Sequence, residues 1–374
     1  MKIAIEALGI HDYGGGRTAT LNLLHNLLEI GQDNQYLVIL SAPEPELVAR
    51  NLQQWIAPTQ NRFLMRIWVQ LVFPLKLRNY DLIHFAKNLS VFGLPTPALV
   101  TIYDMTTLIF PELFPKSDVW YWQYLQKYSL RSVERIIAIS ETTRRDIQTY
   151  YGVDPEKISV IYPSIHPRFQ PAPFEHIQRA RARYNLPDDY ILHVGRIDRK
   201  NNIALLIEAF AHFLQHIDPA YDGSLVIVGG EYAKSPDHRL SEIITRNNLF
   251  KRIIFTDRVP NSDLPSIYSG AQVAVVTSHH EGFGLAAVEA MACETPLIAN
   301  RKGAIPEVVG DAAMLLENPN PESLANAMFE VISSRSLQKH LKKLGRDRAK
   351  RFQTKTDARK TLEVYKDMIS GRRT

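Results

Sequence analysis

The amino-terminal run Lys2-Ile3-Ala4-Ile5 is apolar after its first residue, and a glycine turn, Gly14-Gly15-Gly16, separates it from a helical pattern over about Arg17 to Leu28. A second apolar run, Tyr36–Leu40, follows that helix. A strand, a helix and another strand in this order are typical of a βαβ unit with two parallel strands. The opening of the chain therefore predicts an α/β protein.

The same alternation continues along the chain and falls into two halves. Residues 162–173 contain four prolines, which indicates a connection because proline lacks a backbone donor and restricts its predecessor. Two doubly wound domains facing each other are therefore expected, with the ligand site at the carboxyl ends of the strands, in the cleft between them. The further predicted strands are Leu82–Phe85, Leu99–Ile102, Ile136–Ile139, Tyr190–Val194, Leu225–Val228, Arg252–Thr256, Val273–Thr277, Pro296–Ala299 and Ala313–Leu315.

Composition excludes several classes of protein. The 374 residues are 45% hydrophobic and 22% charged, which excludes wholesale disorder. The single cysteine, Cys293, excludes a disulfide framework and favours a reducing compartment. The first residues meet Glu6 too early for a signal peptide, and the most apolar window, Phe63 to Leu77, is interrupted by polar residues and a proline. A cytoplasmic protein without a membrane-spanning helix is expected.

Positive charge is concentrated at the carboxyl terminus. Residues 341–374 hold twelve Lys or Arg and four Asp or Glu, a net charge of +8, whereas the whole chain has +5 and the other 340 residues therefore −3. Such a segment is a solvated helix face, a contact for anionic membrane or, least favoured, a nucleic-acid contact. The basic residues lack interleaved aromatic platforms, which argues against nucleic acid.

The strongest chemical signal follows the predicted strand Val273–Thr277. Glu281 precedes a glycine-containing turn, and Glu289 lies eight residues further on, up to about 12 Å along a helix. Free N–H groups around Phe283, Gly284 and Leu285 begin that helix and could bind a diphosphate. The two acids would then contact the two ends of a nucleotide sugar. The alternative is that both acids merely complement a helix dipole.

This motif resembles the donor signature of retaining family 4 glycosyltransferases with the GT-B fold. The two acids lie within Glu281-Gly282-Phe283-Gly284-Leu285 and Glu289-Ala290-Met291-Ala292. The resemblance extends over nearly the whole chain, and its specificity comes from the order and spacing of several short segments. These segments are Gly14–Arg17, Ile139–Thr143, His193–Arg196 with Lys200-Asn201, Leu225–Gly230, Arg258–Pro260, Thr295-Pro296 and Pro306–Gly310.

The resemblance implies a role for each matching residue. Glu281 would bind donor-sugar hydroxyls and Glu289 the ribose hydroxyls, while Arg196 and Lys200 would form the cationic pair on the diphosphate. Arg258 and Val259 would bind the base, and Gly14, Gly15 and Gly16 would let the backbone approach the phosphates. The alternatives are a surface ion pair for the cations and an ordinary strand-to-helix turn for the glycines.

Three residues of the first half are candidates for binding the donor sugar and the acceptor. Where many relatives have His-Asp, this chain has Tyr103-Asp104, and the tyrosine offers a hydroxyl to the donor sugar. Asp104 and His11 are candidates for orienting the acceptor, although an isolated Asp or His is more often structural. The stretch from Arg196 to Lys200 is one residue shorter than in many relatives, and Glu294 replaces a common glycine.

The expected reaction needs no metal or other cofactor. The chain contains no Asp-x-Asp sequence, by which many other sugar transferases hold a divalent cation. Helix N–H groups, Arg196 and Lys200 could stabilise the leaving diphosphate instead. Resemblance to the family implies retention at the anomeric carbon, with the acceptor entering on the leaving-group side.

The acceptor is less defined than the donor. The window Arg62 to Phe73 mixes apolar residues with cations and predicts either a helix packed on the first sheet or an interfacial membrane helix. The second possibility would suit a lipid-linked saccharide at the inner face of the membrane. The basic C-terminal helix is the expected site of peripheral contact with anionic membrane.

The sequence therefore predicts a metal-independent retaining hexosyltransferase that uses a nucleoside-diphosphate sugar, with UDP-glucose as the preferred donor, in polysaccharide biosynthesis. An epimerase or hydrolase of the same fold and a non-catalytic nucleotide-sugar-binding protein are the alternatives. A dehydrogenase is disfavoured because Gly14-Gly15-Gly16-Arg17-Thr18-Ala19 lacks the third glycine of its fingerprint.

The predicted domains are an acceptor-side Rossmann-like domain (1–165), a linker (166–187), a nucleotide-sugar-binding Rossmann-like domain (188–340) and a basic helix (341–374) that crosses back to the first domain.

Overall fold

A computed structural model describes residues 1–11, 14–88, 91, 93–94, 96–231 and 237–371, with the backbone alone at 62 and 63. The chain divides into two compact units. The first unit comprises Met1–Ser164 together with the residues from Thr354 onward, and the second comprises Ile165–Gln353. The chain therefore passes from one unit to the other twice.

The first unit contains a parallel sheet that has seven strands within the described residues, in the order β3-β2-β1-β4-β5-β6-β7. The strand order reverses between β1 and β4, which is the switch point where doubly wound sheets bind ligands. The strands are β1 (Lys2–Glu6), β2 (Gln35–Leu40), β3 (Leu52–Ile56), β4 (Leu82–Phe85), β5 (Ala98–Ile102), β6 (Arg135–Ala138) and β7 (Ile158–Val160).

The second unit contains a parallel sheet that has six strands in the described part of the chain, in the order β10-β9-β8-β11-β12-β13. Its switch point lies between β8 and β11. The strands are β8 (Tyr190–Val194), β9 (Ser224–Val228), β10 (Ile253–Phe255), β11 (Val273–Val276), β12 (Leu297–Asn300) and β13 (Met314–Leu316). The predicted α/β class with two doubly wound parallel sheets is confirmed.

Helices pack against the sheets and bury their apolar faces. The first stretch of the chain forms α1 (Gly15–Ile30), α2 (Arg62–Lys76), α3 (Thr106–Ile109), α4 (Lys116–Trp120), α5 (Lys127–Ser132) and α6 (Glu141–Tyr151), with a π-helical turn, Tyr121–Gln126, joining α4 to α5. The later helices are α7 (Phe174–Tyr184), α8 (Ile203–His212), α9 (Arg239–Arg246), α10 (Leu264–Gly270), α11 (Leu285–Ala292), α12 (Ile305–Val309), α13 (Pro321–Ser333), α14 (Arg335–Ala349) and α15 (Thr356–Ser370).

The last helix, α15, packs in the core of the first unit. Tyr365 is fully buried, and its hydroxyl lies 2.6 Å from His84 Nδ1 on β4. His84 Nε2 lies 2.8 Å from Thr101 Oγ1 on the neighbouring strand. Burial lowers the pKa of His84 to about 3, because the ring has no water with which to solvate a charge. The imidazole is therefore neutral in the folded protein.

Hydrogen bonds hold together the two passages of the chain between the units. Ser164 Oγ donates to the Thr354 carbonyl over 2.6 Å, and the Ser164 N–H donates to Asp357 Oδ2 over 3.3 Å. Asp357 is buried and also accepts a hydrogen bond from Asn26 of α1. The start of α15 is thus tied to α1 and to the end of the first passage.

The structure differs from the expectation in two segments. The predicted linker 166–187 contains α7, an amphipathic helix that begins directly after Pro173. The basic segment 341–374 is not one helix: α14 ends at Ala349, and α15 begins at Thr356 after a 3₁₀ turn, Lys350–Phe352. Phe352 in that turn is buried, and its ring centroid lies 5.3 Å from that of Phe283. The segment therefore still packs an apolar side chain against the rest of the second unit at the point where the helix is interrupted. No helix in the described part of the chain is long and apolar enough to cross a membrane.

Candidate active site

The loop between β11 and α11 forms the centre of the candidate site. Gly284 has φ +89°, a left-handed conformation, and a Cβ at this position would lie 2.5 Å from Ile305 Cδ1. The glycine therefore allows the chain to turn directly into α11 at Leu285. The first N–H groups of a helix have no acceptor within that helix, and they favour negative charge. The predicted diphosphate-binding turn at Phe283, Gly284 and Leu285 is thus the N-terminus of an eight-residue helix.

Glu281 lies in this loop beside a cation and a hydroxyl. Its Oε1 accepts a hydrogen bond from Ser278 Oγ over 2.7 Å, and its Oε2 lies 3.8 Å from Lys200 Nζ. The Glu281 side chain is 22% exposed and that of Lys200 is 11% exposed. The carboxylate is therefore fixed in orientation, yet retains an accessible edge for a sugar hydroxyl.

A close backbone contact fixes the position of Glu281. The Ala304 N–H donates to the Glu281 carbonyl over 2.8 Å. Gly303 has φ +57°, and a Cβ there would lie 2.3 Å from the same carbonyl oxygen. Only glycine allows the two backbones to approach this closely, so the loop after β12 supports the loop that contains Glu281.

The loop after β8 positions Arg196 and Lys200. The Asn201 side chain donates to the Arg196 carbonyl over 2.6 Å, and the Asn201 N–H donates to Asp198 Oδ1 over 2.9 Å. Asp198 is buried, and its Oδ2 lies 3.4 Å from Arg196 Nε. Burial raises the pKa of the Asp198 carboxyl, and the nearby Arg196 acts in the opposite direction. Asp198 therefore orients the arginine.

Contacts between the two loops bring three of the predicted donor-site residues of the second unit together. Ser278 Oγ, which donates to Glu281, also lies 3.2 Å from Asn201 Oδ1. The His279 N–H donates to the Lys200 carbonyl over 2.9 Å. Glu281, Lys200 and Arg196 thus belong to one connected network at the carboxyl ends of β8 and β11. Asp198 and Ser278 were not predicted as parts of this network, and Asn201 was predicted only as a member of a matching segment.

Glu289 lies on α11 and is only 6% exposed. Its Oε2 accepts a hydrogen bond from the hydroxyl of Tyr268, on α10, over 3.0 Å. Burial raises the pKa of Glu289 to about 8, and the Tyr268 hydrogen bond and the charge of Arg168 oppose that rise only in part. In the absence of a ligand, Glu289 is therefore mostly protonated at neutral pH. Nothing in the sequence pattern pointed to Tyr268 or Arg168.

The predicted base-binding residues follow β10. Arg258 is exposed and Val259 is half-buried. A Cβ on Gly230 would lie 3.1 Å from Arg258 Nε, so the arginine side chain runs closely past this glycine. The adjacent Gly229 has φ +141°, and a Cβ there would lie 1.9 Å from the Gly195 carbonyl oxygen. The glycine pair therefore lets the loops after β8 and β9 pack against each other.

The glycine turn in the first unit precedes α1. Gly14 has φ +134° and Gly15 begins the helix. A Cβ on Gly16 would lie 3.4 Å from Cε of Lys87, whose Nζ donates to the Gly9 carbonyl over 2.6 Å. The turn is thus packed against a cation that the sequence analysis did not single out.

Tyr103 and Asp104 follow β5 in the first unit. The Tyr103 hydroxyl lies 2.8 Å from Thr20 Oγ1 on α1, and burial raises the pKa of this phenol. Asp104 is half-buried, and its Oδ1 accepts a hydrogen bond from the Thr106 N–H over 3.1 Å. His11 Nε2 lies 2.9 Å from the Ala42 carbonyl. The contacts found for Tyr103 and His11 are internal to the first unit, and the substrate roles of all three residues stay predictions.

The described residues contain no group of three or more His, Cys, Asp or Glu side chains placed to hold a metal ion. Cys293 is a buried free thiol at the end of α11, and burial raises its pKa.

Two family models match consecutive parts of the chain. "Glycosyltransferase Family 4" matches residues 13–169, and "Glycosyl transferases group 1" matches residues 175–348. Together they cover 331 of the 374 residues, 157 in the first match and 174 in the second.

Curated relatives and a solved structure extend this similarity. A D-inositol 3-phosphate glycosyltransferase from Streptomyces bingchenggensis is 32% identical over 65% of this chain, and the match spans only 54% of that protein's length. The O-antigen chain mannosyltransferase B of Escherichia coli is 26% identical over 78% of this chain and 76% of its own. The structure of Anabaena HepE in complex with UDP-glucose superposes with a TM-score of 0.78 at 19% identity, covering 98% of this chain and all of that one.

Proposed function

Because the chain belongs to the family 4 glycosyltransferases with the GT-B fold, we propose that it transfers a hexose from a nucleoside-diphosphate sugar to a saccharide or lipid-linked acceptor, with retention at the anomeric carbon. The observation that carries this proposal is the arrangement around the start of α11. Glu281 lies before the helix N-terminus and Glu289 within the helix, while Lys200 lies 3.8 Å from Glu281. This arrangement suits a ligand that is anionic in the middle and has hydroxyls at both ends.

The leaving diphosphate is stabilised by the protein itself in this proposal. Negative charge collects on the diphosphate as the bond to the anomeric carbon breaks, and Arg196, Lys200 and the N–H groups at the start of α11 supply compensating positive potential. Asp198 and Asn201 hold the loop that contains both cations. Transfer without a metal ion is therefore part of the proposal.

Retention implies that the acceptor approaches on the side of the leaving group. A bond forms between the acceptor oxygen and the anomeric carbon while the bond from that carbon to the phosphate oxygen breaks. The acceptor proton passes to the departing phosphate. Asp104, with His11, is proposed to orient the acceptor, and Glu281 is proposed to bind donor hydroxyls rather than to attack the sugar.

UDP-glucose is the proposed donor. The structure of HepE with UDP-glucose supports this choice through a fold similar over nearly the whole chain. The mannosyltransferase among the relatives makes a mannose donor the natural competitor. The mannosyltransferase among the relatives supports a saccharide acceptor in polysaccharide assembly as part of the proposal, and the buried, unpaired Cys293 fits a cytoplasmic location.

A thermal-shift panel of nucleoside diphosphates and their sugars tests the donor. A ligand present at about 100 times its dissociation constant adds about 2.7 kcal/mol to the free energy of unfolding. Glu281→Gln should remove the extra shift that the sugar gives over the free nucleotide, whereas the exposed control Glu330→Gln should retain it. If no nucleotide sugar shifts the transition, the proposal is wrong.

Activity assays separate the alternative functions. Transfer should require an acceptor and persist in excess EDTA. Arg196→Gln and Lys200→Gln should each lower kcat by about 100-fold, the usual effect of removing a donor that stabilises transition-state charge. Product formed without any acceptor indicates an epimerase or hydrolase, and tight binding without turnover indicates a binding protein. Loss of turnover in EDTA contradicts the metal-independent mechanism.

A further inference from the structure

Helix α2 has two apolar faces, and only one of them is covered. Val69 and Phe73 are buried in the core of the first unit. On the other side, Leu71 and Leu75 are 65% and 71% exposed. Leu64 and Ile67 continue this exposed row at helical spacing toward the start of α2. The helix therefore packs on the first sheet, which is one of the two arrangements expected from the sequence. It also exposes a row of aliphatic side chains on its other face.

A second group of exposed apolar side chains lies on the helical segment 116–132, next to α2. Trp120 is 56% exposed, and its ring centroid lies 5.9 Å from that of Tyr124. The two segments are in contact, because the Arg66 guanidinium of α2 lies 4.1 Å from the centre of the Tyr121 ring. We use the name apolar-basic surface for the exposed apolar residues of the two segments and the exposed cations near them, which the next paragraph names. The apolar residues are Leu64, Ile67, Leu71, Leu75, Trp120, Tyr124, Leu125 and Tyr128.

Positive charges outnumber negative ones on these two segments: α2 and residues 116–132 together contain six Lys or Arg and one acid, Asp118. Residues 47–80 contain five Lys or Arg and no Asp or Glu. Arg66, Lys76 and Arg78 are exposed, as are Lys116 and Arg131 of the neighbouring segment. Exposed aliphatic side chains, Trp and Tyr rings, and surrounding cations are the combination found in helices that lie at the interface of an anionic bilayer.

We propose that the apolar-basic surface binds the protein to the surface of an anionic lipid bilayer. The aliphatic row has no hydrogen-bonding groups to offer a saccharide, and the surrounding cations complement anionic headgroups. Arg66 lies where the two segments meet, stacks on Tyr121 and is exposed. The protein would lie on the membrane rather than span it.

The basic C-terminal helix fits this role less well. On α14, Arg346 lies 3.1 Å from a Glu294 oxygen, and Arg348 donates to the carbonyls of Val308 and Glu307. Lys350, just after the helix, lies 2.9 Å from Asp347. Several of its cations are thus engaged within the second unit, and the helix has no exposed aliphatic row like that of α2 in the described chain.

Vesicle flotation tests the proposal. The full chain should float with phosphatidylglycerol-containing vesicles at low salt and not with pure phosphatidylcholine. The double variant Leu71→Glu/Leu75→Glu should lower the partition coefficient for these vesicles at least about tenfold. Each substitution removes an apolar side chain from the bilayer and introduces a carboxylate that the anionic headgroups repel. A matched control of equal charge, Phe174→Glu/Phe250→Glu, alters exposed apolar residues of the second unit and should float like wild type.

Two further measurements identify the contact. Brominated lipids should quench the fluorescence of the wild-type protein on vesicles, and Trp120→Phe should lose most of that quenching. Lys342→Gln/Lys343→Gln on α14 should bind vesicles within about threefold of wild type, whereas loss of one membrane-contacting cation costs about fivefold.

Several results would overturn the proposal. Absence of flotation, equal flotation of the Leu71/Leu75 variant, or selective loss in the α14 variant each contradict it. Sedimentation of the wild type as a dimer that Leu71→Glu/Leu75→Glu dissociates, without flotation, would assign the surface to a second copy of the chain. The thermal shift of each variant with UDP-glucose is measured in parallel, so that a failure of the donor proposal is seen separately from a failure of membrane binding.

Discussion

The affinity for a nucleotide sugar should rise with pH because of Glu289. Burial raises the pKa of this carboxyl to about 8 in the free protein, so that about nine tenths of it is protonated at pH 7. In the proposed donor site the Glu289 carboxylate, rather than the neutral acid, accepts hydrogen bonds from the ribose hydroxyls, because ionisation of the acceptor strengthens both bonds. Binding is therefore coupled to release of one proton.

The size of the effect follows from the fraction of Glu289 that is ionised. With a pKa of about 8, the carboxylate fraction rises from about 1% at pH 6 to about three quarters at pH 8.5. The dissociation constant should fall by about 80-fold over that interval, about 2.6 kcal/mol, and level off at higher pH. Each pH unit well below the pKa contributes a factor of about ten.

Titration calorimetry with UDP-glucose is the assay. A nucleotide sugar suits it because its diphosphate diester loses no proton in this range, whereas the terminal phosphate of UDP does. Proton release is measured independently by repeating the titration in buffers of different ionisation enthalpy. About 0.9 proton should be released at pH 7, in agreement with the protonated fraction of Glu289.

Two variants isolate the residue. Glu289→Gln should bind weakly and lose the pH dependence. Tyr268→Phe removes the hydrogen bond that lowers the pKa of Glu289, so its pH profile should move to higher pH. A flat profile in the wild type, or the same profile in Glu289→Gln, refutes the reasoning.

Two predictions concern stability. Burial holds the pKa of His84 at about 3, well below its unfolded value of about 6.5. Between these two pH values the unfolded state binds more protons than the folded state. The free energy of unfolding therefore falls as the pH falls from about 6.5 toward 3. Urea unfolding should show that the wild type loses about 2 kcal/mol more than His84→Gln between pH 7 and pH 5, and equal losses would contradict the assignment. Glu294 follows α11 with φ +55°, a conformation that costs a non-glycine residue about 1 kcal/mol or more. Glu294→Gly should therefore raise the free energy of unfolding by about 0.5 kcal/mol, because the half-exposed ion pair with Arg346 that is lost contributes less than the strain that is relieved. Arg346→Gln measures the loss of the ion pair directly. If Glu294→Gly lowers the free energy of unfolding by more than Arg346→Gln does, strain at this residue is contradicted.

Most strands could be predicted from the sequence, and the two that could not have short or polar patterns. Leu52–Ile56 contains two glutamines and is an edge strand, half-exposed, so its apolar alternation is weak. Ile158–Val160 has only three residues. Predicted strands such as Leu225–Val228 are buried on both faces and therefore appear as continuous apolar runs.

The site was predicted only where a motif marks it. Glu281 and Glu289 stand in a recognisable spacing, and the structure places one before and one within α11. Tyr268 acts through a hydrogen bond to Glu289 on a different helix, and such a contact leaves no local pattern in the sequence. Lys87 likewise approaches the glycine turn only because β4 neighbours β1 in the sheet.

The return of α15 to the first unit has a consequence for how the chain folds during synthesis. Tyr365 and Met368 complete the core of a unit whose other residues are made first. The ribosome therefore releases everything that the second unit needs before it releases the last piece of the first. The earlier-made half should remain incomplete until α15 has left the ribosome, and deletion of α15 should expose a core formed by residues at the opposite end of the sequence.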